Sequence, residues 1–248
     1  MRPGGLILRP STWTPLNFGT DLGFWLNASQ NVTKSGTDVT AWRDQSSYAN
    51  NALTVSATKP QFLATGINNL PAIVFTAGTG NGMEISAAAS LRPTAGITLF
   101  CVVRWPVRVD IFENVFVCTT TPSLSTDGWG IANPFGAINM VGIYVNDIGA
   151  HEATASGFAA NTDYILTGTF DGSTLKFFVN GTEAASTAYS ATITYTGAPK
   201  VYLGAAATYN DFSGRISQMG MIRRAITAGE RHQLERGYLG PLYNIPVA

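Results

Sequence analysis

Hydrolysing a glycosidic bond takes two carboxyl groups facing each other across it. Two acids spaced i, i+2 along a strand would share one face and meet that need. The glutamates are Glu84, Glu113, Glu152, Glu183, Glu230 and Glu235, and none has an acid two residues on. Glu230 and Glu235 fall in a helical stretch and read as a cap and a solvated charge. His151 lies in a polar loop beside Glu152, and His232 lies beside Arg231. Neither has the convergent partners of a Ser-His-Asp triad or a metal site. Cys101 and Cys118 lack CxxC or CxxH spacing, which argues against zinc. The glycine-rich AGTGNG at 77–82 lacks the Gly-Lys-Ser/Thr ending of a phosphate loop. The residues show no catalytic set.

Binding chemistry is better represented. Sugar sites stack an aromatic ring on a pyranose face and ring it with Asn, Asp and backbone groups. TDGWGIANPF at 126–135 offers Asp127, Trp129, Asn133 and Phe135, and a second stretch offers Tyr209, Asn210 and Asp211. Each has a structural alternative: a core or rim aromatic for Trp129, an ordinary turn for 209–211.

Composition narrows the function classes. Of 248 residues, 45% are hydrophobic and only 12% charged, enough for a large core and too few charges for a disordered chain. Lys plus Arg equals Asp plus Glu at 15 each, so no net field draws nucleic acid or an anionic membrane. No apolar run is long enough to span a bilayer. MRPGGLILRP has too short an apolar stretch for a signal peptide, so synthesis without the usual export route is expected. The 26 Gly and 12 Pro are spread as turns between many short strands require.

The clearest element is YILTGTFDGSTLKFFVNGT at 164–182, two period-two strands joined at Asp171-Gly172 and closed by Asn180-Gly181. Residues 97–105 are apolar on both faces and predict a central strand, with 114–118 as its neighbour. A hairpin of those two runs would bring Cys101 and Cys118 together. Two buried free thiols behaving as small hydrophobes are the favoured reading. Short strands are expected at 192–195 and 201–203 and a long one at 212–222. Thr227 with Glu230 predicts a capping box for a helix ending at Gly237, with Leu234 and Tyr238 inward. Pro241 and Pro246 predict a non-helical tail from Gly240. Asp44 is read as outward turn chemistry.

The string GTFDGSTLKFFVNG resembles the signature hairpin of concanavalin A-like, laminin-G-like jelly-roll domains, in particular their bacterial and phage branch. FWLNAS at 24–29 with VTAWRDQSSYANNA at 39–52, LPAIVFTAG at 70–78, and the stretch at 212–245 resemble other segments of that branch, in family order. The resemblance implies an all-β fold: a jelly-roll β-sandwich of two antiparallel sheets with one short C-terminal helix. An irregular arm at 1–20 would lie on a single domain at 21–248, with one short strand at 6–9. The alternating acids that jelly-roll glucanases carry on one strand are absent.

The function expected from the resemblance is a non-enzymatic, adhesive or structural virion protein of a bacteriophage, made in the host cytoplasm. Its partners would be other virion proteins or copies of itself, with a glycan-binding face for a cell surface. The alternatives are a free bacterial lectin and, last, a glycan-active enzyme. No cofactor is required; calcium is allowed by the wider family, but no acids here map onto its ligands.

Overall fold

The computed structural model describes residues 13–107, 113–120, 126–133, 139–204 and 212–248. In chain order its strands are β1 (Leu22–Asn27), β2 (Val32–Ser35), β3 (Asp38–Trp42), β4 (Ala52–Thr54), β5 (Gln61–Ile67) and β6 (Leu70–Phe75). They continue as β7 (Met83–Ile85), β8 (Ile97–Arg104), β9 (Asn114–Thr119), β10 (Trp129–Ala132), β11 (Met140–Val145) and β12 (Glu152–Ser156). The last are β13 (Asp163–Phe170), β14 (Thr174–Val179), β15 (Thr182–Ala188), β16 (Lys200–Leu203) and β17 (Gly214–Ile222). A 3-10 turn (Pro15–Asp21) precedes them, and a helical segment follows: α1 (Ala228–Leu234), a π turn (Glu235–Leu239) and α2 (Gly240–Tyr243).

Pairing is antiparallel throughout and divides the strands between two sheets. In the first, β8 lies between β13 and β17, and β13 leads on to β14 and β15. The far side of β17 takes β1 along one half and β6, followed by β5, along the other. The second sheet runs β2, β3, β4, β7, β16, β9, β10, β11, β12. A lone pairing of Asp38 with Gln61 joins the sheets at one edge, and β12 approaches β15 at the other. This is the expected jelly-roll sandwich.

The run ITLFCVVR does not alternate because both of its faces are covered. Ile97, Leu99, Cys101 and Val103 join the core between the sheets. Phe100 and Val102 face a second apolar layer under the C-terminal helical segment, with Leu22, Trp25, Ile165, Leu234, Leu239 and Tyr243. The first sheet is therefore the middle layer of three. Trp13 and Phe18 extend this layer: their rings meet at 5.4 Å, and Trp13 also packs on Tyr238. Residues 13–20 thus lie on the domain; the short strand expected at 6–9 lies outside the described residues. Among the described residues no helix is long and apolar enough to cross a membrane.

Local turn chemistry follows the sequence. The Asp171 carboxylate accepts the backbone N–H groups of Ser173 and Thr174, and Gly172 takes φ 89°. Asn180 (φ 48°) and Gly181 (φ 82°) make the next two-residue turn. Thr227 and Glu230 form the reciprocal capping box.

Several expectations are corrected. β8 and β9 do not pair; they sit in different sheets, because the segment after β9 feeds β10 and the partners of β8 come from much later in the chain. Cys101 and Cys118 are both free and buried, which is the favoured reading of them and not a correction. Residues 192–195 belong to no ladder. The helix does not stop at Gly237. A π turn carries it on, with the Gly240 N–H bonding Glu235 O. That places Pro241 at the start of the next turn, where an N–H is not needed, and the segment ends at left-handed Asn244. Glu235 is not a solvated charge: it is fully buried and paired with Arg231. Tyr238 is only partly buried, between the rings of Trp13 and Trp25.

Asp44 also turns inward. Its carboxylate accepts the N–H groups of Trp25 and Ser46 on one oxygen, and the Ser46 hydroxyl and Asn50 N–H on the other, all within 2.6–2.8 Å. The spacing of Asp44 and Ser46 is thus a structural knot tying β1 to the turn after β3.

Candidate functional site

One end of the second sheet carries a polar groove. There β9 ends at Thr119, β10 begins at Trp129, β11 ends at Val145 and β16 begins at Lys200. Across this end runs the segment 192–196. Outside any ladder, its backbone is held by side chains and by single backbone bonds. Asn146, left-handed at φ 67°, accepts the Thr194 N–H and hydroxyl on Oδ1 at 2.7 and 3.0 Å. Its Nδ2 donates to Tyr189 Oη and Thr192 O, both at 2.9 Å, so the amide is fully used. Gly128 N donates to Thr194 O, and Ile193 N donates to Thr94 O.

Asp127 completes the clamp. Oδ1 accepts the Thr119 hydroxyl at 2.5 Å and the Thr120 N–H at 3.2 Å. Oδ2 accepts the Thr120 hydroxyl at 2.9 Å and the Thr196 N–H at 2.8 Å. Burial alone would raise the carboxyl's pKa, but these donors outweigh it and hold the group below the usual range, ionised.

The opposite wall is fixed from below by Trp129. Its ring has no exposed face: it is stacked against Phe24 at 6.4 Å and edge-on to Phe116. Its Nε1 donates to Leu91 O at 3.0 Å, anchoring the short 3-10 turn at Ala89–Leu91. Tyr195 bridges the two walls, its hydroxyl donating to Pro93 O at 2.6 Å. Burial pushes its phenol pKa up and keeps it neutral. Between the walls lies a groove of about 550 Å³ lined by Ala89, Arg92, Thr94, Ile193, Thr194 and Tyr195. A half-buried aromatic ring, exposed threonines and a guanidinium suit a polar, hydroxyl-rich ligand.

The residues singled out from the sequence are therefore divided. Asp127 and Trp129 stand behind this groove as supports. Asn133 is buried at the other end of β10, its N–H donating to Glu113 O, about 13 Å along the strand. Phe135, Tyr209, Asn210 and Asp211 lie outside the described residues. Because Ala132 pairs with Asn114, and Leu203 with Phe116, the chain leaves for both of those segments from the same end as Asn133. Sequence reasoning missed Arg92, Thr94, Thr194 and Tyr195. Nothing local links them; the Tyr195–Pro93 bond spans 102 positions.

Among the described residues no close carboxyl pair sits on the open face of the second sheet. Register partners across it run Glu84, Tyr202, Val117, Gly130, Tyr144, Glu152. Glu84 and Glu152 are five strand spacings apart, about 24 Å. Glu84 is paired with Lys200 at 2.7 Å. Burial raises the pKa of Glu152, whose carboxylate accepts the Gly149 N–H. Glu113 is buried, accepting from the Trp105 indole at 2.7 Å. Among the described residues no three His, Cys, Asp or Glu converge to hold a metal ion.

Comparison with known proteins agrees with the architecture. A search of curated proteins gives no match by sequence. Among solved structures, the binding domain of Paraclostridial Mosquitocidal Protein 1 superposes with a TM-score of 0.63 at 15% identity, over 88% of this chain and 52% of that one. Domain 4 of AbnA, a GH43 extracellular arabinanase from Geobacillus stearothermophilus solved with arabinotriose, gives 0.62 at 14%, over 86% and 98%. The binding domain of botulinum neurotoxin DC, in complex with SialylT, gives 0.58 at 10%, over 90% and 51%. The chain thus spans about half the length of the toxin binding domains and nearly all of the arabinanase domain. At these identities the likeness concerns the fold. Residues 77–230 match the laminin-G-type family model described as "Concanavalin A-like lectin/glucanases superfamily", and the chain belongs to that family.

Proposed function

We propose that this chain is a glycan-binding module that holds sugar in the Arg92–Tyr195 groove without hydrolysing it. The observation that carries the reading is how the groove is built. Its walls are fixed by Asp127, Asn146 and Trp129, whose polar groups are spent on the scaffold. A ring, hydroxyls and a guanidinium are left facing the ligand. Fixing the walls in advance lowers the ordering cost of binding. The separation of Glu84 from Glu152 favours binding over hydrolysis. The sugar complexes named for the arabinanase domain and the neurotoxin domain support the same ligand class.

The test is a glycan array followed by calorimetry. Thr94 is exposed and among the described residues its side chain makes no hydrogen bond, so Thr94→Trp fills the groove without disturbing the core. Binding of a defined glycan that is lost in this variant, with the circular dichroism spectrum unchanged, is the expected result. Unaltered binding in Thr94→Trp would move the site elsewhere.

The setting proposed for the module is the surface of a phage particle, as an adhesive component held by other virion proteins or by copies of itself. The support for this is the resemblance of the segments at 24–52 and 164–182 to the bacterial and phage branch. Mass spectrometry of purified particles is the test; absence of the chain from particles of a phage that encodes it would leave the free-lectin reading.

A further inference from the structure

Three arginines of the described structure have acids as partners: Arg104 meets Asp163, Arg224 meets Asp21 and Glu230, and Arg231 meets Glu235. Two others bond neutral oxygens, Arg215 to Gly66 O and Arg223 to Tyr48 Oη. Arg43, Arg92 and Arg236 have no ion pair among the described residues. Arg92 is exposed on the groove wall, and among the described residues its guanidinium has no hydrogen bond either. Asp127 is near enough to influence Tyr195 and Cys118 electrostatically, as Arg92 is. Its oxygens, however, already accept from Thr119, Thr120 and Thr196. The groove lining therefore contains one cation and no acid.

The rest of the lining fits the same kind of ligand. The Thr194 hydroxyl donates inward to Asn146, which leaves its lone pairs as acceptors toward the groove. The Thr94 hydroxyl has no partner among the described residues, and the Tyr195 ring is immobilised by its bond to Pro93 O. A guanidinium fork beside hydroxyl acceptors and a fixed ring matches a sugar that offers hydroxyl donors and one planar anion.

We infer that the groove takes a glycan residue bearing a carboxylate, gripped through Arg92. This rests on the glycan-binding reading above and adds the charge class of the sugar. The geometry asks only for the anion: a uronic acid and a sialic acid both supply it.

The experiment compares matched ligands on the full chain. Free-acid oligogalacturonides are set against their methyl esters, and sialyllactose against lactose. The acid of at least one pair should bind about tenfold or more tightly than its neutral partner, as a charge-assisted contact implies. That ratio should fall toward one in Arg92→Gln and shrink in high salt, while Arg236→Gln, on the exposed side of the helix, keeps it. Which pair discriminates identifies the source of the carboxylate. Equal binding of acid and neutral partner in both pairs overturns the inference and leaves the glycan reading standing. An acid preference that survives Arg92→Gln also overturns it. No binding to any member of the array overturns both.

Discussion

Arg231 and Glu235, one turn apart on the C-terminal helical segment, form an ion pair of 2.5 Å at the helix–sheet interface. Glu235 is fully buried, and the Arg231 guanidinium lies 3.9 Å over the Phe178 ring while donating to Gly181 O. The pair therefore bolts the helix to the β14–β15 turn. A buried pair is costly to break from one side, because the surviving charge stays out of water. Glu235→Leu or Arg231→Met alone should lower stability by about 3–5 kcal/mol, and the double variant should recover most of it. Urea unfolding of the three variants checks this; independent losses that add would show that the two side chains do not act as a pair.

Glu230 and Glu235 should give opposite pH signatures. The side-chain bonds from Arg224, then the capping contacts of Thr227, hold Glu230 down at about 2 against an ordinary 4.5. A depressed carboxyl stabilises the fold fully above its unfolded value, so this contribution disappears as pH falls from 4.5 to about 2. Burial raises the Glu235 pKa above its ordinary 4.5, so its ionisation costs stability as pH rises above that value. Thermal melts of Glu230→Gln should show a smaller drop in Tm on acidification, with up to about 1 kcal/mol lost at neutral pH from the missing Arg224 ion pair, since glutamine still closes the capping box.

Removing the Asp127 clamp should loosen the groove before it loosens the sandwich. Asp127→Ala strands the Thr196 N–H and two threonine hydroxyls and should cost about 1–3 kcal/mol. Hydrogen exchange should accelerate at Thr194 and Thr196, while amides of the central β8 keep their protection. Uniform acceleration across the chain would mean that the clamp supports the whole fold.

Gly128 has no tolerated replacement. It takes φ 72°, and a Cβ there would lie 1.9 Å from the backbone oxygen of Cys118, which no side-chain rotation relieves. Gly128→Ala should cost about 3 kcal/mol or more, from backbone strain plus overpacking. An unchanged denaturation midpoint would contradict this geometry.

Cys101 and Cys118 should be silent toward a thiol reagent in the native state. Both are fully buried, and burial pushes each thiol pKa up, away from the reactive thiolate. Both should titrate in denaturant, and reducing agent should not alter the native melting curve. Rapid native labelling would show opening of the core.

What the sequence revealed follows the range of the interactions. The 164–182 hairpin was legible because Asp171-Gly172 and Asn180-Gly181 act on their own neighbours. The centrality of β8 was legible because two apolar faces need no partner identified. Its neighbours were not, since β13 comes about 60 residues later in the chain and β17 more than a hundred. Pro241 misled because a π turn shifts which N–H the helix can spare. Glu235 misled because its spacing from Arg231 is equally that of a solvated pair; only the face on which the helix docks decides. At the groove, Asp127 and Trp129 stood out by type, but what they hold lies at residues 91 and 194–196.

The place of β17 also bears on how the chain is made. It is the strand that brings β1, β6 and β8 into one sheet, yet it leaves the ribosome after all of them. Until residue 222 emerges, three nascent edges rich in apolar residues wait without their common partner. Completion of the first sheet therefore trails synthesis, and the unfinished chain is the form in which this protein is most exposed to aggregation.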